Sequence, residues 1–129
     1  MSLDYARDLW SRAENALRSA QALVKLSPDD AASRAYYAAF HSVSAALVLQ
    51  GKSYTRHNAV RSAVHRDLVR TGIWSVDLGA NYDALWELRD LGDYGDKQHV
   101  TTDDAAAALE AARRIHEDIR RLFPNLEKS

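Results

Sequence analysis

Polar side chains suited to a charged ligand crowd into one stretch, Trp86-Glu87-Leu88-Arg89-Asp90-Leu91-Gly92-Asp93-Tyr94-Gly95-Asp96. On a helix, Arg89 and Asp93 stand four residues apart and share a face. Arg89 fits phosphate because its planar fork presents several donors in fixed geometry; Asp93 would orient that fork, and Tyr94 would stack or hydrogen-bond. The same residues also fit an ordinary intrahelical ion pair with a tyrosine beside it, worth about 0.3–0.5 kcal/mol. Other chemistries are poorly supplied. Cysteine is absent, which removes thiolate zinc sites, disulfides and cysteine nucleophiles. The five histidines, His41, His57, His65, His99 and His116, form no His-x-x-x-His pair and no Glu-x-x-His motif, and Glu110 and His116 are too far apart for one helical face. No metal and no cofactor are expected. Gly92-x-x-Gly95 has neither a strand before it nor a lysine after it, so it is no phosphate loop, and no serine stands in a nucleophile elbow.

The elements that position these groups read as helices. Twenty-two of the 129 residues are alanine, against 5 glycines and 2 prolines, and no stretch alternates apolar and polar residues over strand length. A first helix is expected from about Leu3 to Leu26, with Leu3, Leu9/Trp10, Ala13, Leu17, Ala20 and Val24 on one stripe. Ser27-Pro28-Asp29-Asp30 is a start signal, with Ser27 as cap, for a second helix to Gln50 that buries Ala32, Tyr36, Ala39/Phe40, Val43, Leu47 and Leu49. Tyr36 and Tyr37 point about 100° apart, so one serves the core while the other lines a groove or a partner surface. A third, basic helix runs from Arg56 or Asn58 to Arg70. A fourth starts near Ser75 and passes Arg89, with Tyr82, Leu85, Leu88 and Leu91 or Gly92 inward and Leu91 to Val100 loosened by Gly92 and Gly95. The last is capped by Thr101-Thr102-Asp103-Asp104 and stops at Pro124. The expectation is one all-α domain over residues 1–129, an up-and-down antiparallel bundle of four to five helices.

Charge and hydropathy narrow the function further. A net charge of −1 argues against a whole-surface nucleic-acid binder but leaves room for a local basic stripe. A helix-turn-helix with Arg61 and Arg66 reading bases is weighed against a solvated basic face, and the face is preferred because the second helix is long for a positioning helix. Apolar runs such as Ala45 to Leu49 are far too short to cross a membrane, and the polar start is unlike a signal peptide. A soluble, cytoplasmic protein is expected.

Ser33-Arg34-Ala35-Tyr36-Tyr37-Ala38-Ala39-Phe40-His41, then Gly51, His57 in Arg-His-Asn-Ala-Val, Thr71-Gly72, and Leu88-Arg89 to Asp93-Tyr94-Gly95-Asp96 come in this order. Together they resemble HEPN domains (higher eukaryotes and prokaryotes nucleotide-binding), in the small stand-alone prokaryotic branch, from about residue 5 to 123. The resemblance implies a homodimeric helical bundle that binds nucleotide or RNA. It also implies pairing with a small nucleotidyltransferase in a toxin–antitoxin module. In ribonuclease branches an Arg followed after four to six residues by His cleaves RNA without metal. Here four intervening residues after Arg89 lead to Tyr94 and six lead to Asp96, and nine separate Arg89 from His99, so the motif is incomplete. Arg34 and His41 have the spacing but sit on the wrong helix.

The resemblance therefore favours a binding protein whose ligand residues are Arg89, Asp93 and Tyr94, supported by Tyr37, His41 and His57. The alternative is a metal-independent ribonuclease in which His41 or His57 reaches Arg89, since a group titrating near neutrality is needed to move the proton of the 2′-hydroxyl. A plain dimerisation module is the third possibility. In it the polar segment only seals an interface; taken singly, Tyr37 also fits ordinary core, His41 a buried hydrogen-bonded histidine and His57 a residue at a helix start.

Overall fold

Alanine sets the architecture, by giving one central helix room for neighbours on all sides. The computed structural model describes residues 2–127, so the outermost ends of the expected 1–129 domain lie outside it. The elements are α1 (Ser2–Leu23), α2 (Pro28–Leu49), α3 (His57–Ala63) with a π-helical continuation (Val64–Val69), α4 (Val76–Tyr94), α5 (Thr102–Leu122) and a 3₁₀ turn (Pro124–Leu126). No strand occurs among the described residues, and the helical bundle expected from composition is observed. No helix among them is long and apolar enough to cross a membrane.

Sequence periodicity predicts one buried stripe on the second helix, but α2 is buried almost all round. Ala31, Ala35, Ala38, Ser42, Ser44, Ala45, Ala46 and Val48 join Ala32, Tyr36, Ala39, Val43 and Leu47 in the interior. The reason is position: α1, α4 and α5 all pack on α2, and small side chains on several faces let each of them approach. Ser42 is tolerated there because its hydroxyl donates to the Ala38 carbonyl at 2.8 Å.

Two helix ends differ from expectation. The first helix stops at Leu23 rather than Leu26, because Leu26 is exposed and adds nothing to the core. Ser27 does not cap α2 with its side chain; its hydroxyl donates to the Asp30 carboxylate instead, at 2.9 Å. Ser75 and Thr101 do cap, accepting the N–H groups of Leu78 (3.2 Å) and Asp104 (3.0 Å).

Far from fraying at Leu91, α4 continues through Gly92 to Tyr94, and the irregular stretch is confined to residues 95–100. Gly92 is the reason. A β-carbon there would lie 2.7 Å from the Asp29 carbonyl oxygen, so glycine lets the end of α4 close on the first turn of α2. Asp29 also binds the following segment: its carboxylate accepts the Val100 N–H at 2.8 Å and contacts His99 Nδ1 at 2.9 Å. Gly92→Ala gains about 1 kcal/mol of helix propensity but forces two backbones apart, at about 1–3 kcal/mol. A net loss of up to about 2 kcal/mol is expected in urea unfolding; a more stable variant would show that this contact is slack.

Candidate functional site

The fourth helix presents Gly79, Tyr82, Leu85 and Arg89 to the interior, a three- and four-residue spacing that puts an arginine where an apolar residue belongs. Leu88, expected inward, is half-buried and packs towards a smaller cluster of Ala31, Ala32, Val100 and Ala105. Only 9% of Arg89 is exposed. Its guanidinium lies over two rings, with Cζ 4.8 Å from the centroid of Tyr36 and 5.2 Å from that of Trp86. Its one acidic contact among the described residues is Asp90, Nη2 to Oδ1 at 3.2 Å, and the Asp90 side chain is half exposed. Arg89 Nε is buried and has no hydrogen-bond partner among the described residues. A guanidinium so desolvated is expensive to leave short of acceptors, which makes it receptive to an incoming anion.

His57, at the start of α3, stands beside it. Its Nδ1 is 2.8 Å from the Tyr36 hydroxyl, its ring stacks on Phe40 at 4.5 Å, and Trp86 lies 6.4 Å away. Burial, followed by the nearby positive charge of Arg89, lowers the His57 pKa below the ordinary histidine value. Burial pushes the Tyr36 hydroxyl up to about 12, so it stays protonated and can donate to Nδ1. With Tyr36 as donor a neutral His57 carries its proton on Nε2; with the direction reversed, Nδ1–H donates to the Tyr36 oxygen and Nε2 is the acceptor.

A second polar group adjoins the first through Trp86. Arg61 Cζ lies 4.9 Å from the Trp86 ring, so one indole is shared by two guanidiniums. Arg61 Nε donates to Asp83 Oδ1 at 2.8 Å, and His65 Nε2 meets the same oxygen at 3.0 Å. Burial alone would raise the Asp83 pKa, but the hydrogen bonds from His65 and Arg61 outweigh it and hold the carboxyl below its usual value. A helix-turn-helix would leave Arg61 and Arg66 free to read bases. Here Arg61 is tied to α4, and Arg66 is bonded to Asp67 at 2.9 Å and to the Tyr54 hydroxyl at 3.0 Å.

Of the residues singled out in the sequence, Arg89 and His57 come together, with Tyr37 at their edge, its ring 5.6 Å from His57 and beneath the Arg34 guanidinium at 4.9 Å. Asp93 and Tyr94 do not join them. Both are exposed, Tyr94 by 75%, at the outer end of α4. The orienting contact expected of Asp93 is made by Asp90 instead. His41 faces α1, in a hollow shared with Leu9, Arg12 and Ser44. Sequence reasoning makes Tyr36 a core residue and gives Trp86 no role, yet these two rings seat Arg89. The periodicity Tyr82, Leu85, Arg89 is the signal that could have turned Arg89 inward, towards these rings.

His41, beside Phe40 and Tyr37 at the margin of this cluster, and His116, stacked on Trp10, make a separate prediction. Burial first, then Arg12 for His41 and Arg120 for His116, pull both pKa values down to about 4 from 6.5. The unfolded chain takes up these protons near pH 6.5 while the folded protein refuses them until about pH 4. Stability from these groups is therefore complete above pH 6.5 and is lost as pH falls towards 4. Because both rings are partly exposed and screened, the loss is put at about 1–2 kcal/mol for the pair. Melting temperatures from about pH 7 to 4 should fall in the native protein and fall less in a His41→Gln/His116→Gln variant; parallel curves would contradict the assignment.

The HEPN domain family profile matches residues 6–122. A UPF0332 protein of Thermotoga maritima is 34% identical over 123 residues, spanning 88% of this chain and 93% of the relative. Another, from Gloeobacter violaceus, is 30% identical over 111 residues, 84% of this chain and 88% of the relative. Among solved structures, the crystal structure of TT1696 from Thermus thermophilus superposes with a TM-score of 0.78 at 23% identity, covering 90% of this chain and 96% of the other, a likeness of fold.

Proposed function

Because this chain belongs to the HEPN-domain family, with UPF0332 proteins among its relatives, we propose that it binds a nucleotide or RNA by a phosphate held at Arg89. The carrying observation is the Arg89 guanidinium: nearly buried, seated on Tyr36 and Trp86, faced by a single half-exposed carboxylate, with Nε unpaired. A phosphate oxygen would complete its hydrogen bonding, and His57 Nε2–H would add a second donor beside it. Following the family resemblance, the working form is a homodimer that pairs with a small nucleotidyltransferase in a toxin–antitoxin-type module. Tyr37, at the edge of the cluster, suits a base or a partner surface; Asp93 and Tyr94, exposed at the end of α4, suit partner contact better than phosphate.

The test uses adenosine and AMP, which differ only in phosphate, titrated against the protein while following tryptophan emission. AMP is expected to perturb it, adenosine at the same concentration is not, and Trp86→Phe should remove the signal without removing binding measured by calorimetry. Equal responses to both compounds would defeat the phosphate assignment.

One observation favours the ribonuclease reading as a second possibility: His57, rather than His41, shares Tyr36 and Trp86 with Arg89. In the tautomer whose Nδ1–H donates to the Tyr36 oxygen, neutral His57 can take a proton from a 2′-hydroxyl at Nε2 while Arg89 stabilises the phosphate. In EDTA, cleavage of mixed RNA that disappears in both His57→Ala and Arg89→Ala would establish this activity. Binding without cleavage leaves the protein a binder.

A further inference from the structure

The π-helical turn of the third helix does something an α-helix could not. In a regular α-helix Arg61 and Arg70, nine residues apart, would project about 180° from each other. A π turn inserts one extra residue into the winding, which brings the angle down to roughly 80°. The Arg70 N–H closes this turn on the His65 carbonyl at 2.9 Å. As a result Arg61, Ser62, His65, Arg66 and Arg70 all line one open groove of about 430 Å³. Gly79 of α4 makes the wide turn possible: a β-carbon there would sit 2.7 Å from Val69 Cγ2 and 3.3 Å from His65 Cε1.

The carboxylates that contact the groove's residues are already engaged. Asp83 binds Arg61 and His65, and Asp67 is divided between Arg66 and Lys52. Arg70 is exposed and has no carboxylate partner among the described residues. The groove is thus positive beyond its internal pairs, and one side chain joins it to the Arg89 site, since Arg61 lines the groove and shares the Trp86 indole with Arg89.

We propose that this groove is a second phosphate subsite, so that the ligand of the Arg89 site is a single nucleic-acid strand of several phosphates rather than a mononucleotide. Arg89 holds one phosphate, and the strand runs over Trp86 so that later phosphates meet Arg61, Arg66 and Arg70. The inference rests on the proposed phosphate binding at Arg89. It adds that affinity grows with strand length and that Arg70, although remote from Arg89, sets part of that growth. Multiple phosphate contacts also give a steep dependence on salt, to which each cation contributes about one unit of slope.

The test is fluorescence anisotropy with end-labelled oligouridylate and oligothymidylate of two and eight nucleotides, beside calorimetry with AMP. The eight-mer is expected to bind at least roughly tenfold more tightly than the two-mer. Arg70→Ala should weaken the eight-mer roughly fivefold to tenfold and lower its salt slope by about one, leaving AMP unaffected, and Arg70→Lys should restore much of the loss. Arg70 is exposed, so its variants are expected to fold. Binding of either strand in this pattern supports the proposal, and a preference between RNA and DNA tells which strand the groove accepts. Equal affinity for AMP and the eight-mer, or an eight-mer indifferent to Arg70→Ala, overturns it while leaving the Arg89 reading intact. Failure of AMP and both strands to bind defeats both readings. An acidic protein that binds through Arg70 when nucleic acid does not would overturn the proposal in favour of a protein partner.

Discussion

Tyr36→Ala is expected to lower the stability by about 3–5 kcal/mol, the cost of emptying a large aromatic site in a packed interior. Tyr36 is fully buried in α2, the helix that α1, α4 and α5 all touch. Its ring meets Phe40, Tyr82, Trp86 and His57 and carries the Arg89 guanidinium. Removing it leaves a void and takes away both the face on which Arg89 lies and the hydroxyl that meets His57 Nδ1. Domains of this kind are stable by only about 5–15 kcal/mol, so a large share of the total is at stake. Tyr36→Phe separates the two roles. It keeps the ring and deletes the hydroxyl, so it should cost about 1 kcal/mol while freeing His57 to turn. Urea unfolding of both variants measures this; a Tyr36→Ala loss below about 1 kcal/mol would mean that the ring is not the packing centre.

Arg89→Met is expected to do the opposite: little change in stability, and a large loss of binding. The methionine keeps much of the side-chain volume between Tyr36 and Trp86 and removes a buried charge whose only acidic contact among the described residues is solvent-facing. Replacing a poorly compensated buried charge by an apolar side chain is often neutral or stabilising. Binding has no such compensation. Charge-assisted hydrogen bonds are worth about 1.5–3 kcal/mol, so AMP affinity should fall at least roughly tenfold, and by about a hundredfold if both arms of the fork are used. Arg89→Lys retains a charge but not the fork or the stacking plane, and should recover only part of the loss. Unfolding and calorimetry on the same preparations separate the two effects. A destabilised Arg89→Met protein with normal AMP affinity would make Arg89 a structural residue.

Much of this is legible from residue order. Alanine content, the Pro28 start, the Thr101 cap and the Pro124 stop place the helices to within a few residues, because each acts through its own backbone or its immediate neighbours. Arg89 and His57 are also visible, as members of a pattern. What stays hidden depends on contacts between helices. Four-residue spacing favours Asp93 over Asp90 on an isolated helix, yet Arg89 is turned inward onto Tyr36 and Trp86, where Asp93 does not follow. The link from Asp83 to Arg61 and His65 joins residues 18 to 22 positions apart, and no local rule connects them. The π turn is equally invisible from residue types, since the α-helical pattern of Val60, Ala63, Val64 and Leu68 runs straight through it; the neighbouring Gly79 makes sense only after the two segments are seen in contact.

The most direct measurement is NMR observation of the arginine side-chain Nε–H groups in ¹⁵N-labelled protein during an AMP titration, with Arg89→Lys assigning the Arg89 signal by its disappearance. The expected result is that the Arg89 Nε–H resonance shifts strongly and becomes protected from exchange as AMP binds, ahead of the signals of Arg113, Arg114 and Arg121 on the outer face of α5. An Arg89 resonance that stays in place while AMP binds would contradict the placement of phosphate at this site.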